Sequence, residues 1–351
     1  MNEQSTILCP SCGNPARAGA NFCVRCGTSL SGPPPAIPPV ADDTPTIPRV
    51  ASPPRPVNIE NAPTENLVRP PASDAPTLTG MQAIQQRALR QISGTATHVG
   101  RVRSHNEDYV AKIDYSLDQS GAAEPRGLYI VADGMGGYKE GEKASRESVR
   151  RAFRDFIEGQ VLLDLRSGSH MLSEPDQPVA LDATLRAMVE EANRLVFSRR
   201  QGTGMKHGTT IVVLLIIGSK AAVANVGDSR AYLSRNGELK QISQDHSLVF
   251  SLYKAGQITE DQIYSHPQKN EIYRSLGDQE NVKVDVFPLD VRAGDRFLLA
   301  SDGLWEMVRN AQIAAILGNA QTPQLACDRL VAAAFDNGGE DNISAVAIYL
   351  E

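Results

Sequence analysis

From residue 91 onward, short apolar runs with a strand-like period alternate with stretches whose apolar positions recur at helical spacing. Runs rich in β-branched residues predict strands at 95–99, 109–114, 128–132, 209–217, 221–225, 231–235, 282–288, 296–300 and 343–350. The run 211–217 is apolar throughout and predicts a strand covered on both faces. It falls far short of the roughly 20 residues needed to cross a bilayer. Asn236-Gly237, between two polar-flanked runs, is a tight hairpin signal. Helical periodicity marks 142–158, where Ala144, Val149, Phe153, Phe156 and Ile157 share a face, and 181–200. Shorter helices are expected at 246–255, 310–317 and 323–335, and an amphipathic helix or lead-in at 81–92. Runs of hairpin-linked strands with helices grouped between them predict α+β layers rather than a doubly wound parallel sheet.

Four of these elements carry an acid at one end. Asp133-Gly134 follows 128–132, Gly227-Asp228 follows 221–225, Asp302-Gly303 follows 296–300, and Asp341-Asn342 precedes 343–350. A single Asp-Gly pair is an ordinary turn signal. Its recurrence suggests strand ends that meet on one edge of a sheet and gather their carboxylates. Crowded carboxylates repel, so some stay protonated or a cation neutralises them. Oxygen donors without nearby His or Cys favour Mg²⁺ or Mn²⁺. The junction 100–108 adds Arg103, Asn106, Glu107 and Asp108. An arginine there suits a phosphate dianion, because its planar fork can donate two parallel hydrogen bonds.

The 351 residues suffice for one large domain with accessories, and a net charge of −6 offers no basic nucleic-acid surface. The amino terminus lacks the charged and apolar regions of a signal peptide, so a cytoplasmic location is expected. Four of the five cysteines form Cys9-Pro-Ser-Cys12 and Cys23-Val-Arg-Cys26, each pair trailed by glycine. Two such knuckles aim four thiolates at one tetrahedral point, which predicts a Zn²⁺-binding ribbon over 1–30. Disulfides are the alternative, disfavoured by the cytoplasmic reading. With only Arg17, Arg25 and Phe22 available, the ribbon suits protein docking better than nucleic acid. Cys327, in a helical stretch, reads as a packed core thiol. Between 31 and 79 lie 14 of the 22 prolines, which predicts an extended linker over 31–80. Its Thr44, Thr46, Thr64 and Thr77 are candidate phosphorylation sites.

Taken in order, Arg103-Ser-His-Asn-Glu107-Asp108, Asp133-Gly134-Met135-Gly136-Gly137, Gly208-Thr209-Thr210, Gly227-Asp228-Ser-Arg230, Asp245-His246-Ser247, Ser301-Asp302-Gly303-Leu-Trp305 and Glu340-Asp341-Asn342 resemble the motifs of the metal-dependent, type 2C serine/threonine protein phosphatases in their bacterial form. The resemblance covers about residue 91 to the carboxyl terminus. It implies two central antiparallel sheets packed between helical layers over 81–351, after the ribbon and linker. Asp133 would bridge two ions, with the Gly134 carbonyl on the second and Asp302 and Asp341 on the first. Glu107 and Asp108 would act through waters, Asp228 would join Asp302 at a third ion, and Arg103 would contact phosphate. Gly227, Thr209 and Asn342 would support geometry.

The implied reaction is hydrolysis of phosphoserine and phosphothreonine on proteins, by direct attack of a metal-bridging hydroxide. No phosphoenzyme is required, and a bacterial-type Ser/Thr kinase is the implied counterpart. Two departures matter. Met135 stands where some relatives place a proton-donating His, and Glu306 where an Asp often helps hold the third ion. The segment 256–277 resembles the family's flap beside the active site. His246 and His266 read as packing or turn histidines rather than acid–base groups. The rival reading is a non-catalytic scaffold that keeps the fold for binding.

Overall fold

The structure, a computed structural model, describes residues 6–8, 15–17, 89–119, 122–136, 139–167, 178–203 and 207–351. The four amino-terminal cysteines, the linker threonines and most of the 81–92 lead-in lie outside these residues. The chain divides into two units, Met1–Thr79 and Gly80–Glu351. In the first, β1 (Thr6–Leu8) pairs antiparallel with β2 (Pro15–Arg17), Ile7 opposite Ala16.

The second unit runs β3 (Gln91–His98), β4 (Asp108–Gln119), β5 (Ala122–Met135), α1 (Lys139–Phe156), α2 (Leu162–Ser167) and α3 (Pro178–Thr203). It continues through β6 (Gly208–Thr209), β7 (Ile211–Ile217), β8 (Lys220–Val226), β9 (Arg230–Arg235), β10 (Glu238–Gln241), α4 (Leu248–Lys254) and α5 (Glu260–Ile263). It closes with β11 (Asp285–Asp290), β12 (Arg296–Ala300), α6 (Asp302–Trp305), α7 (Asn310–Asn319), α8 (Pro323–Asp336) and β13 (Ile343–Leu350).

The strands form two sheets, ordered β10-β9-β12-β13-β3 and β11-β8-β7-β5-β4, with β6 continuing beside β5. Every pairing is antiparallel. Side chains alternate across a strand, and that alternation builds four layers. Tyr129, Val131, Val212, Leu214 and Val223 face Leu233, Phe297, Leu299, Val346 and Ile348 between the sheets. Their neighbours Leu128, Ile130, Val213 and Leu215 face outward onto Val149 and Phe156 of α1 and Leu185 and Val189 of α3. On the far side Tyr232, Leu298, Ala345 and Ala347 meet Ile313 and Leu317 of α7 and Leu330 of α8. Cys327 is buried there, its thiol donating to the Gly94 carbonyl at 3.3 Å. The α+β sandwich of two antiparallel sheets between helices is therefore the observed architecture.

Local differences from the sequence reading have physical causes. Gln91 and Ile92 are not helical; they lie in β3, Ile92 opposite Tyr349 of β13. β4 and β5 extend well beyond their apolar centres because they pair along their whole lengths, from Asp108↔Asp133 to Gln119↔Ala122. The run 209–217 breaks at Thr210 into β6 and β7. The strand expected at 282–288 starts only at Asp285. The Asn236-Gly237 hairpin is present, with φ of 55° and 83°.

Candidate metal centre and active site

The acids do not collect on one sheet edge, as the strand-end pattern suggested. They come from corresponding ends of both sheets. On the six-stranded sheet, Asp108 opens β4 directly opposite Asp133 of β5. The Asp133 backbone is clamped on its other side: its N–H donates to Thr210 Oγ1 at 3.0 Å, and its carbonyl accepts from Thr210 N and Thr209 Oγ1, both at 2.8 Å. Gly134 donates its N–H to the Glu107 carbonyl at 3.1 Å. A Cβ on Gly134 would lie 2.2 Å from the Gly141 carbonyl oxygen at the start of α1, so no larger residue fits.

On the five-stranded sheet, β12 ends one residue before Ser301, and Asp302 opens the single turn α6. Ser301 Oγ donates to Asp108 Oδ2 at 2.8 Å and accepts from the Ser344 N–H at 2.9 Å, linking the two sheets beneath the acids. An added Cβ on Gly303 would stand 2.2 Å from the Asn342 carbonyl oxygen, which sets how tightly the Asp302 and Asp341 segments abut. Asn342 orders the mouth of the site. Its carboxamide accepts from Glu107 N at 2.7 Å and donates to the Val99 and His105 carbonyls at 2.8 and 2.9 Å. Asp341 accepts from Asn342 N at 2.8 Å and, through Oδ2, from exposed Arg103 at 2.6 Å.

Asp228 follows β8 and is buried. Its carbonyl accepts from Trp305 Nε1 at 3.1 Å, and the Trp305 ring lies 3.4 Å from the guanidinium carbon of Arg230. Arg230 is in turn paired with buried Asp245 at 2.7 Å. Glu306, at the end of α6, is paired with Lys269. His246 is buried, accepting from Gly227 N at 3.0 Å and lying 3.0 Å from Asp285 through its other nitrogen; burial holds its pKa down. It is a packing histidine. His266 accepts from Gln268 N within a turn.

Electrostatics report the crowding. Burial, reinforced by the charges of Asp302 and Asp341, pushes Asp108 up to about 8 against its hydrogen bonds from Ser344 and Ser301. Burial and then Asp341 and Glu306 lift Asp302 to about 7. Asp133 and Asp228 rise well above the usual carboxylate range, through burial and then the charge of Asp302. Burial also raises Glu107, with Arg103 opposing. Asp108 Oδ1 and Asp302 Oδ1 are buried without a hydrogen-bond partner.

Among the described residues, no three acid, histidine or cysteine side chains already enclose one point as a finished cage. Asp341 is engaged by Arg103. The donor chemistry nonetheless fits divalent cations: oxygen atoms alone, two of them orphaned, on carboxylates whose mutual repulsion a cation would relieve. Sequence motifs found these acids but not Ser145, whose hydroxyl donates to the Glu107 carbonyl, nor Ser344. A small polar residue in a buried face is their only signal.

The family model described as Protein phosphatase 2C matches residues 92–249, and a zinc-ribbon domain model matches 8–30. The chain is 34% identical over 256 residues to "Serine/threonine phosphatase stp" of Listeria monocytogenes serovar 1/2a, covering 72% of this chain and 93% of that protein. It superposes on the S. agalactiae serine/threonine phosphatase with a TM-score of 0.62 at 33% identity, covering 75% of this chain and 100% of that one. The catalytic domain of the serine threonine protein phosphatase PstP in complex with 2 manganese ions matches with a TM-score of 0.60 at 29% identity, covering 75% and 99%.

Proposed function

The chain belongs to the protein phosphatase 2C family and is a metal-dependent serine/threonine phosphatase, and we propose that the acids gathered between its two sheets are where that chemistry occurs. In this reading Asp133, the Gly134 carbonyl, Asp302 and Asp341 hold a pair of Mn²⁺ or Mg²⁺ ions. Glu107 and Asp108 orient water around them, and Asp228 with Asp302 and Glu306 forms a weaker third cation position. When bound, the ions supply Lewis acidity, making hydroxide available near neutral pH and offsetting phosphate charge. The carrying observation is the pair of orphaned, buried oxygens on Asp108 and Asp302 amid mutually repelling carboxylates.

The protein side of the reaction follows from placement. Arg103 stands exposed at the mouth, fully charged, and its bond to Asp341 uses one of five N–H donors. It can therefore meet the equatorial oxygens of a phosphoryl group as charge builds there. Asn342 holds the Glu107 segment at fixed register beneath it. Met135 offers no proton to the departing serine or threonine oxygen, so that proton comes from solvent ordered in the site.

The substrates are phosphoproteins. We infer further that a Ser/Thr kinase supplies them, that 81–351 is the catalytic domain, and that 31–80 is a linker. Cys9, Cys12, Cys23 and Cys26 of the 1–30 ribbon would bind Zn²⁺ and present a protein-docking surface. Among the described residues no helix is long and apolar enough to cross a membrane. The test is hydrolysis of a phosphothreonine peptide by the full chain with and without Mn²⁺, repeated with Asp133→Ala. Turnover that needs Mn²⁺ and collapses in the variant is expected. Turnover indifferent to both would remove the reading, and a folded protein with no turnover would favour the scaffold.

A further inference from the structure

The segment 256–277 packs against the stretch just after Asp302 through three contacts. Asn310 donates to Glu260 at 2.8 Å, the Arg309 guanidinium carbon lies 3.4 Å from the Tyr264 ring centroid, and Tyr264 meets Trp305 edge-on at 6.1 Å. The fourth contact is ionic. Lys269, half-buried, pairs with Glu306, comes within 4.0 Å of Glu340, and feels the charge of Asp302 as well.

Two carboxylates, Glu306 and Glu340, thus meet one ammonium, and Glu306 in turn bears on the buried and crowded Asp228 and Asp302. A divalent ion seated between Asp228, Asp302 and Glu306 would place a second positive charge beside that ammonium. The two cations repel and compete for Glu306. A lysine from the flap can meet the same charge requirement from within the chain, and it brings the flap with it.

We propose that Lys269 is a built-in cation that fills the third position in place of a metal ion and holds the flap down over the active site. The proposal rests on Asp228, Asp302 and Glu306 forming that third position. It makes Lys269 a positioning residue: occupancy of the third position and closure of the flap are alternatives, and a metal ion gains the position only when Lys269 leaves it.

The test uses the full chain and Mn²⁺ alone. Bound Mn²⁺ is counted by electron paramagnetic resonance titration for the wild type, Lys269→Met, Lys269→Arg, Asp228→Asn and Lys269→Met/Asp228→Asn. In parallel, chymotryptic cleavage at Tyr264 and Tyr273 reports flap opening. Lys269→Met is expected to bind one more weakly held Mn²⁺ per chain than the wild type and to be cut faster. Lys269→Arg restores the wild-type count and protection, and Asp228→Asn abolishes the extra ion in the double variant. If Lys269→Met gains nothing while Asp228→Asn strips a weak ion from the wild type, the third position exists and already holds a metal, so Lys269 does not replace it. If neither variant changes the count, the third position itself is absent and the proposal falls with it.

Discussion

The side-chain carbonyl of Asn342 accepts the backbone N–H of Glu107 at 2.7 Å, joining segments 235 residues apart in sequence. The same carboxamide donates to the Val99 and His105 carbonyls, so one buried residue sets the path of the loop that carries Arg103. Asn342→Ala leaves the Glu107 N–H and the two carbonyls without it. At about 0.5–1.5 kcal/mol for each lost hydrogen bond, denaturant titration should show a loss of a few kcal/mol. Phosphopeptide turnover should fall with KM rising, because the loop is freed while the acids remain.

Stability without added Mg²⁺ or Mn²⁺ should depend on pH in an unusual direction. Asp108 and Asp302 titrate at about 8 and 7 in the folded protein against an ordinary 3.8, so the fold binds their protons more tightly than the unfolded chain does. Their contribution is full below pH 4 and is lost as pH rises toward 8. The melting temperature in ion-free buffer should therefore drop between pH 5.5 and pH 8. Added Mn²⁺ should raise it more at pH 8 than at pH 5.5. Equal stabilisation at both values would contradict the clustering of these carboxyls.

Ser301 links the sheets by donating to Asp108 and accepting from Ser344. Removing such an orienting partner costs metal sites about 10–100-fold in affinity or activity. Ser301→Ala should weaken Mn²⁺ binding by that factor in a direct titration. Ser301→Thr, which keeps the hydroxyl, should lose less.

Arg230 and Asp245 form a buried pair whose guanidinium supports Trp305, which in turn holds the Asp228 carbonyl. Arg230→Leu strands the Asp245 charge and should cost about 3–5 kcal/mol in chemical denaturation. The double change Arg230→Leu/Asp245→Leu should recover much of that. Recovery of stability without recovery of turnover would show that the pair serves Trp305 and Asp228 as well as the fold.

Strand identity was legible wherever burial on two faces forced a mostly apolar run, unbroken in β7 and interrupted only by Ser344 in β13. Their partners were not, because period alone says that a face is covered and not by what. The acids could be read because each sits at an abrupt change from apolar run to Asp beside Gly or Asn. Their distribution over two sheets could not: sheet order depends on register contacts such as Ile343↔His98, made across long separations. The helical alternative at 81–92 fails over 89–92, where Leu89 and Arg90 lie outside any element and pairing with β13 takes Gln91 and Ile92. Lys269 lay inside a recognisable flap, but its engagement with Glu306 exists only once the chain has folded.

Since Asp133 rides on one sheet and Asp302 with Asp341 on the other, the layer of Phe297, Leu299, Val212 and Leu214 behaves as a spacer of fixed thickness. Stacked sheets stand about 10 Å apart, and any slimming or swelling of that filling alters the gap between the two sets of carboxyls. Selection on catalysis would then reach deep into residues that never see phosphate, and activity should fade before the fold does when that filling is trimmed.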